Sequence, residues 1–104
     1  MPGDKERLQP TTPDYASVGT STTQILPFRY VRAGATFINI SDNFITLRLD
    51  GTASVDMYSG ITLSPGGGTW TMDEYTLTND KIYAKASGAS STLCIQEFIN
   101  GAED

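Results

Sequence analysis

The chain is 104 residues long and carries a formal net charge of −5, from twelve acidic and seven basic side chains. This length accommodates one domain, and the longest apolar run is far shorter than the roughly 18 residues that a membrane-spanning helix needs. The sequence opens without a basic-then-apolar signal segment and has no clustered basic stretch, so we expect a soluble protein made in a cytosol, with no membrane association and no direct nucleic-acid binding.

The first 18 residues contain three prolines, several charges and only three sizeable apolar side chains, which are Leu8, Tyr15 and Val18. Ordering each residue costs about 1–2 kcal/mol of backbone entropy, whereas burying a large apolar side chain returns about 1.5–3 kcal/mol. We therefore predict that residues 1–18 form an extended N-terminal arm, ordered only on a partner surface by strand addition or wrapping. The alternative is a solvated leader without a role.

From residue 19 onward the sequence changes to short β-rich runs separated by turn residues. Residues 20–26 form the first run, and residues 29–41 and 44–50 alternate between two faces as strands do. Asp42-Asn43 and Asp50-Gly51 supply the turns that follow the second and third runs.

The second half of the chain continues the pattern. Residues 52–59 are ambiguous and are compatible with a loop that carries a short strand, while Pro65 to Gly68 form a strong breaker. Further β-rich runs cover residues 60–64, 69–77 (with Trp70 and Met72 on one face), 81–87 and 91–99.

These runs predict six or seven strands, and no segment has the apolar periodicity of a long helix. The fold class that follows is all-β: a small antiparallel β-sandwich or jelly-roll-like barrel over residues 19–99, with the extended N-terminal arm before it and residues 100–104 as a C-terminal tail.

Few residues in the chain are suited to catalysis or to metal binding. Histidine is absent, which removes the commonest general base and the commonest transition-metal ligand. Asp73 and Glu74 are adjacent on a predicted strand and point to opposite faces, so they cannot flank one scissile bond. The lone Cys94 is interpreted as a small buried hydrophobic residue. We predict no catalytic residue, no cofactor and no metal site.

Partner binding is the remaining expectation. Arg29 and Arg32 are available to pair with acidic residues of a neighbouring copy, although a solvated surface is the commoner role for such residues. The candidate partner-binding residues are thus Leu8, Tyr15, Val18, Arg29 and Arg32. The aromatic residues are candidates for stacking on sugar rings or on a protein partner, although Trp70 and Phe44 suit a core or interface better.

The order of these signals resembles small β-sandwich proteins of tailed-bacteriophage virions. The matching elements are TQILPFR (23–29), ATFINISDNFITLRLDG (35–51), GITLSPGGG (60–68), TMDEYT (71–76) and KIYAKASGASSTLCIQEF (81–98). Residues 52–59 and the arm up to residue 18 lie outside the resemblance. The resemblance rests on a pattern of strands and turns rather than on a catalytic motif.

The resemblance implies a non-enzymatic virion structural protein, located at the capsid surface and assembled in the bacterial host cytoplasm. The leading hypothesis is a capsid decoration or cement protein that binds the major capsid protein through its arm and a sandwich edge. The implied partners are the major capsid protein and other copies of itself, as a dimer or trimer. A neck or tail connector, or a fibre-associated protein, is one alternative. A carbohydrate-binding attachment module, suggested by the aromatic residues and the Ser/Thr-rich strands, is another.

Overall fold

A computed structural model describes residues 8–11, 14–73 and 75–100, and every regular element in those ranges is a β-strand. The prediction of an all-β antiparallel sandwich is confirmed, and residues 19–100 supply seven strands. In chain order the strands are β1 (Leu8–Pro10), β2 (Asp14–Val18), β3 (Thr23–Leu26), β4 (Arg32–Asn39), β5 (Ile45–Arg48), β6 (Ile61–Leu63), β7 (Gly68–Met72), β8 (Ile82–Ala86) and β9 (Ser91–Asn100).

The strands form two antiparallel sheets. In sheet A, β9 pairs with β1 and β2 along one edge and with β4 along the other, and β4 pairs in turn with β7. Sheet B has the order β3-β8-β5-β6. Most connections carry the chain from one sheet to the other, so most neighbouring strands within each sheet are distant in sequence.

Alternation along the strands determines which side chains fill the core. Phe37 on β4 and Leu93 on β9 face inward from sheet A, while Ile45 and Leu47 on β5 face them from sheet B, and all four are buried. The Phe37 ring stacks on the half-buried Trp70 ring with centroids 6.0 Å apart. Trp70 and Met72 share this inward side, as the sequence predicted, because they pair with Phe37 and Ala35.

The described part of the N-terminal segment belongs to the sandwich. Strands β1 and β2 lie along the ten-residue strand β9, with Tyr15 opposite Cys94 and Val18 opposite Ser91. Val18 is fully buried in the core, and Ala16 packs against it. This corrects the expectation that residues 8–11 and 14–18 are ordered only on a partner. The remainder of that expectation, for residues 1–7, 12 and 13, lies outside the described residues, as does the predicted tail beyond residue 100.

The physical reason for the correction is the length of β9. Its edge offers backbone donors and acceptors along ten residues, and two short strands share it. Burial of the three apolar side chains is therefore not the only compensation for ordering this segment, because backbone hydrogen bonds to β9 offset much of the lost entropy.

The ambiguous segment 52–59 is a loop that lies on the outer face of sheet B. The Val55 N–H donates to Thr22 Oγ1 at 3.1 Å, and the Tyr58 N–H donates to Thr46 Oγ1 at 2.9 Å. Thr46 points away from the core, because its neighbours Ile45 and Leu47 point into it, yet it is fully buried. The loop therefore covers β5 from outside. Its own residue Val55 is buried, although Val55 is not part of the main core.

The predicted breaker at residues 65–68 joins β6 in sheet B to β7 in sheet A. Gly66 and Gly67 have positive φ angles of 71° and 116°, which residues with a side chain rarely adopt. Their N–H groups donate to the carbonyl oxygens of Ser41 and Asn39 at 2.9 and 2.7 Å. Glycine at these positions thus permits the turn to dock on the end of β4.

We predict that Val18→Ala lowers the free energy of unfolding by about 2 kcal/mol, because a fully buried valine loses its transfer energy and leaves a cavity. Ser17→Ala, at the adjacent exposed position, serves as the control and is expected to change it by less than about 0.5 kcal/mol. Urea denaturation of both variants provides the measurement. Equal effects of the two substitutions would contradict the docking of β2 on its own chain.

Candidate functional site

One end of the sandwich is organised around the side chain of Arg32, the first residue of β4. Its guanidinium is fully buried and donates from Nε to Glu97 Oε2 at 2.7 Å. Nη1 donates to the carbonyl oxygens of Thr78 and Asp80 at 3.0 and 2.9 Å, and Nη2 donates to that of Pro27. One cation thus joins a strand of sheet A to the two loops that flank sheet B at this end.

The carboxylate of Glu97 lies between two guanidinium groups. Its Oε2 accepts from Arg32, and its Oε1 lies 3.3 Å from Nε of Arg29, whose side chain is partly exposed. Glu97 is buried in β9 at an inward-facing position. Burying a carboxylate is costly unless it is paired, and here two arginines compensate it.

Asn79 fixes the same two loops from the other side. Its side-chain Nδ2 donates to the carbonyl oxygens of Arg29, Tyr30 and Arg32 at 3.0, 3.2 and 3.1 Å. In return the Arg29 N–H donates to the Asn79 carbonyl oxygen at 2.9 Å. The loop before β4 and the loop before β8 are therefore held against each other by backbone and side-chain hydrogen bonds.

These two loops present exposed apolar side chains to solvent. We call this group the aromatic end; it consists of Phe28, Tyr30, Tyr75 and Leu77, which are 59%, 83%, 86% and 38% exposed. The turn that carries Tyr75 is closed locally, since Asp73 Oδ1 accepts from the Tyr75 N–H at 2.9 Å. The backbone below the aromatic end is thus fixed, although its side chains lie in water.

The five candidate residues from the sequence are in different environments. Arg29 is at the aromatic end, Tyr15 is exposed on the outer face of sheet A, and Leu8 lies in β1. Arg32 and Val18 are buried within their own chain, which corrects the expectation that they contact a partner. Arg32 is fully committed to Glu97 and to three carbonyl groups, and Val18 has no exposed surface.

The sequence prediction missed Glu97 and Asn79. A signal for Glu97 was present, because it continues the alternation of Leu93 and Ile95 and therefore occupies an inward position. A charged residue at such a position requires a buried partner of opposite charge. Asn79 gave no such signal, since an asparagine in a turn is ordinary.

Cys94 also differs from its prediction. It is half-buried rather than buried, and it lies on the outer face of sheet A, because Leu93 and Ile95 on either side point into the core. Its direct neighbours across the sheet are Tyr15 and Ile38.

A second polar feature is the ion pair of Arg48 and Asp50. Arg48 donates from Nε to Asp50 Oδ1 at 2.8 Å and from Nη2 to Oδ2 at 3.0 Å. The side-chain hydrogen bond from Arg48 lowers the pKa of Asp50 far below its ordinary value and raises the pKa of Arg48. The pair borders a depression of about 570 Å³ that is also lined by Leu47, Leu49, Ile61 and Thr78. An aspartate held ionised in this way is a poor general acid or base at neutral pH.

Among the described residues, no group of three or more His, Cys, Asp or Glu side chains is placed to hold a metal ion. The same residues contain no helix of the length and apolarity required to cross a membrane. Comparison of the chain with models of protein families, with curated proteins and with solved structures finds no match.

We predict that Arg32→Ala lowers the free energy of unfolding by about 3–5 kcal/mol, because it leaves the buried carboxylate of Glu97 and three carbonyl groups without their donor. Arg48→Ala is the matched control, since it removes an arginine from an exposed ion pair and is expected to leave the urea midpoint close to that of the wild type. A mild effect of Arg32→Ala, equal to that of Arg48→Ala, would contradict the central role of the buried pair.

Proposed function

We propose that the chain is a non-enzymatic structural protein of a tailed-bacteriophage virion, a capsid decoration or cement protein that binds the major capsid protein through the aromatic end. The observation that carries this proposal is the exposure of Phe28, Tyr30 and Tyr75 on loops whose carbonyl groups accept hydrogen bonds from the buried Arg32. The resemblance of the strand and turn pattern to phage virion proteins supplies the biological setting.

Aromatic residues, tryptophan and tyrosine among them, are enriched at the few positions that dominate binding energies at protein interfaces. A rigid loop loses little conformational entropy when a partner covers it, so fixed loops with exposed aromatic side chains are suited to binding. A buried ion pair is by itself weak evidence for stability, and a role in positioning the loops accounts for its presence here.

The chemistry of the other groups is consistent with a non-enzymatic role. The chain has no histidine, Glu97 is enclosed by two arginines, and Asp50 is held ionised by Arg48. These groups serve structural ion pairs, which leaves the aromatic end as the more distinctive feature of the described surface.

The position of the binding surface differs from the one expected from the sequence. The sequence placed attachment on residues 1–18 and a sandwich edge. Strands β1 and β2 pair with β9 of their own chain, so one backbone edge of each is already occupied. We assign attachment to the aromatic end because three of its side chains are exposed aromatic rings.

A carbohydrate-binding attachment module is the second candidate, and the same surface favours it. Tyr30 and Tyr75 are more than four-fifths exposed. Tyrosine rings stack on sugar rings, and tyrosine hydroxyl groups form hydrogen bonds with sugar hydroxyl groups. A neck or tail position shares the chemistry of the shell position and differs in copy number.

We predict that Tyr30→Ala and Tyr75→Ala each reduce the affinity for particles that lack this protein by at least about tenfold, as expected for side chains worth 1.4 kcal/mol or more. Tyr58→Ala is the matched control. Tyr58 is also exposed, but it packs on Phe44, directly before the start of β5 and at the end of the sandwich opposite to the aromatic end. Bound protein is quantified after sedimentation of the particles. Undiminished binding of the Tyr30→Ala/Tyr75→Ala double variant would refute attachment through the aromatic end.

Copy counting by mass spectrometry and glycan titration separate the alternatives. Hundreds of copies per particle are expected for a shell protein, whereas twelve or fewer would place the protein on the tail axis. Saturable binding of surface polysaccharide that is lost in the double variant, together with no binding to bare particles, would favour the carbohydrate-binding module instead.

A further inference from the structure

The side of sheet A that faces away from the core spans four paired strands, β2, β9, β4 and β7. Alternation and register place Tyr15 on β2 opposite Cys94 on β9, Cys94 opposite Ile38 on β4, and Ile38 opposite Thr69 on β7. These four side chains form one row across the sheet, on the side opposite to the core. We call the surface made by this row and its neighbours the outer face.

The outer face carries no charged side chain among the described residues. The next row consists of Gln96, Thr36 and Thr71, and Thr36 Oγ1 lies 3.5 Å from Thr71 Oγ1. The strands of sheet A contain three charged residues in the described ranges. Arg32 and Glu97 point inward, and Asp14 lies at the start of β2 opposite the inward-facing Ile95.

The corresponding face of sheet B differs in two respects. It carries charged side chains, Arg48 on β5 and Lys85 on β8, and the loop 52–59 of the same chain lies over it. On the outer face of sheet A, by contrast, Tyr15, Thr69 and Thr71 remain exposed. Among the described residues, sheet B is thus covered by a loop of its own chain, whereas the outer face of sheet A is uncovered and carries no charge.

A second copy can occupy this uncharged surface without bringing charged side chains into direct opposition. Two copies that each carry a net charge of −5 repel one another wherever their acidic surfaces approach. Contact through neutral faces keeps the charged groups at the periphery, where solvent and salt screen them. A face of uncharged side chains, several of them threonine, also suits packing on an identical face, since two sheets pack at about 10 Å with interdigitating side chains.

The dimensions predict how strong such a contact is. Four strands about 4.8 Å apart and seven residues at about 3.4 Å each give a face of about 20 by 24 Å. This is smaller than the roughly 800 Å² per partner of a stable standard interface. The contact is therefore expected to be weak in dilute solution and to form where copies are concentrated.

We propose that the outer face of sheet A is a self-association surface, which packs on the same face of a second copy about a two-fold axis and covers Cys94 in both. This names a surface for the self-association that the sequence predicted. It does not depend on capsid attachment, because the test uses the purified protein alone, so its failure would leave the aromatic end as the attachment surface.

Sedimentation equilibrium over a range of concentrations tests the proposal. We expect a monomer–dimer equilibrium with a micromolar dissociation constant for the wild type. Thr71→Lys places a positive charge on the exposed part of the outer face, and Ile38→Lys places one near its centre; each is expected to weaken the dimer at least tenfold. Thr71 is exposed, so we expect Thr71→Lys to fold normally. It therefore tests the proposal even if Ile38→Lys does not fold.

Gln24→Lys is the matched control. Gln24 is exposed on β3 and pairs with Tyr83, on the outer side of sheet B, and its substitution changes the net charge by the same amount. Its dimer is expected to match that of the wild type. Because each lysine reduces the net negative charge, a general electrostatic effect would strengthen association in all variants, whereas an interface effect weakens it only on the outer face.

Alkylation of Cys94 gives a second readout. It is the only cysteine of the chain, so any thiol labelling reports on this position. We expect the labelling rate of the wild type to fall at least threefold above the dissociation constant, and that of Thr71→Lys to stay constant over the same concentrations. A wild type that stays monomeric into the millimolar range, a dimer that leaves Cys94 equally reactive, or equal dimerisation of Thr71→Lys and Gln24→Lys would each overturn the proposal.

Discussion

The buried guanidinium of Arg32 determines how the two sheets meet at one end of the sandwich. It binds the carboxylate of Glu97 in sheet A and the carbonyl groups of loops that flank sheet B, so removing it would leave polar groups from both sheets unsatisfied. A register irregularity in β4 between Arg32 and Gly34 accompanies this arrangement. A bulge changes the direction in which a side chain points, and here the arginine faces the interior instead of solvent. The loops that carry the exposed residues of the aromatic end are positioned by their hydrogen bonds to Arg32.

Strand β9 has a comparable role within sheet A. It pairs with β4 on one edge and with both N-terminal strands on the other, and it contributes Leu93 and Ile95 to the core. Its outward side chains, Cys94 among them, form part of the neutral outer face. The same strand therefore links three features that lie far apart in sequence: the N-terminal strands, the buried ion pair through Glu97, and the surface that we propose for self-association.

The aromatic end, proposed for attachment, and the outer face of sheet A, proposed for self-association, have different physical properties, and each set of properties suits the proposed role. The aromatic end combines large exposed rings with loops that are held rigidly, which suits tight binding through a few side chains. The outer face of sheet A carries no charge among its described residues and is modest in area, which suits weak contacts between many copies. A cement protein would use the first to bind the shell and the second to bind its neighbour, and weak lateral contacts would be strengthened by the high local concentration on a particle.

The sequence by itself determined the all-β class and the approximate positions of the strands in residues 19–99, because alternation and the glycine- and proline-rich breakers are local signals. It did not show that the β-rich run 69–77 ends as a strand at Met72 and continues as a turn. The sequence also excludes acid–base catalysis by histidine and metal binding through histidine, because the chain contains none. Only the tertiary structure decided that residues 8–10 and 14–18 pair with β9 and that Arg32 is buried. Strand pairing joins segments at opposite ends of the chain, and Arg32 and Glu97 are 65 residues apart, so neither partner is visible in the sequence around the other. The exposure of Tyr30 and Tyr75 and the outward direction of Cys94 were likewise decided by packing, because local sequence defines two faces of a strand but does not state which of them the other sheet will cover.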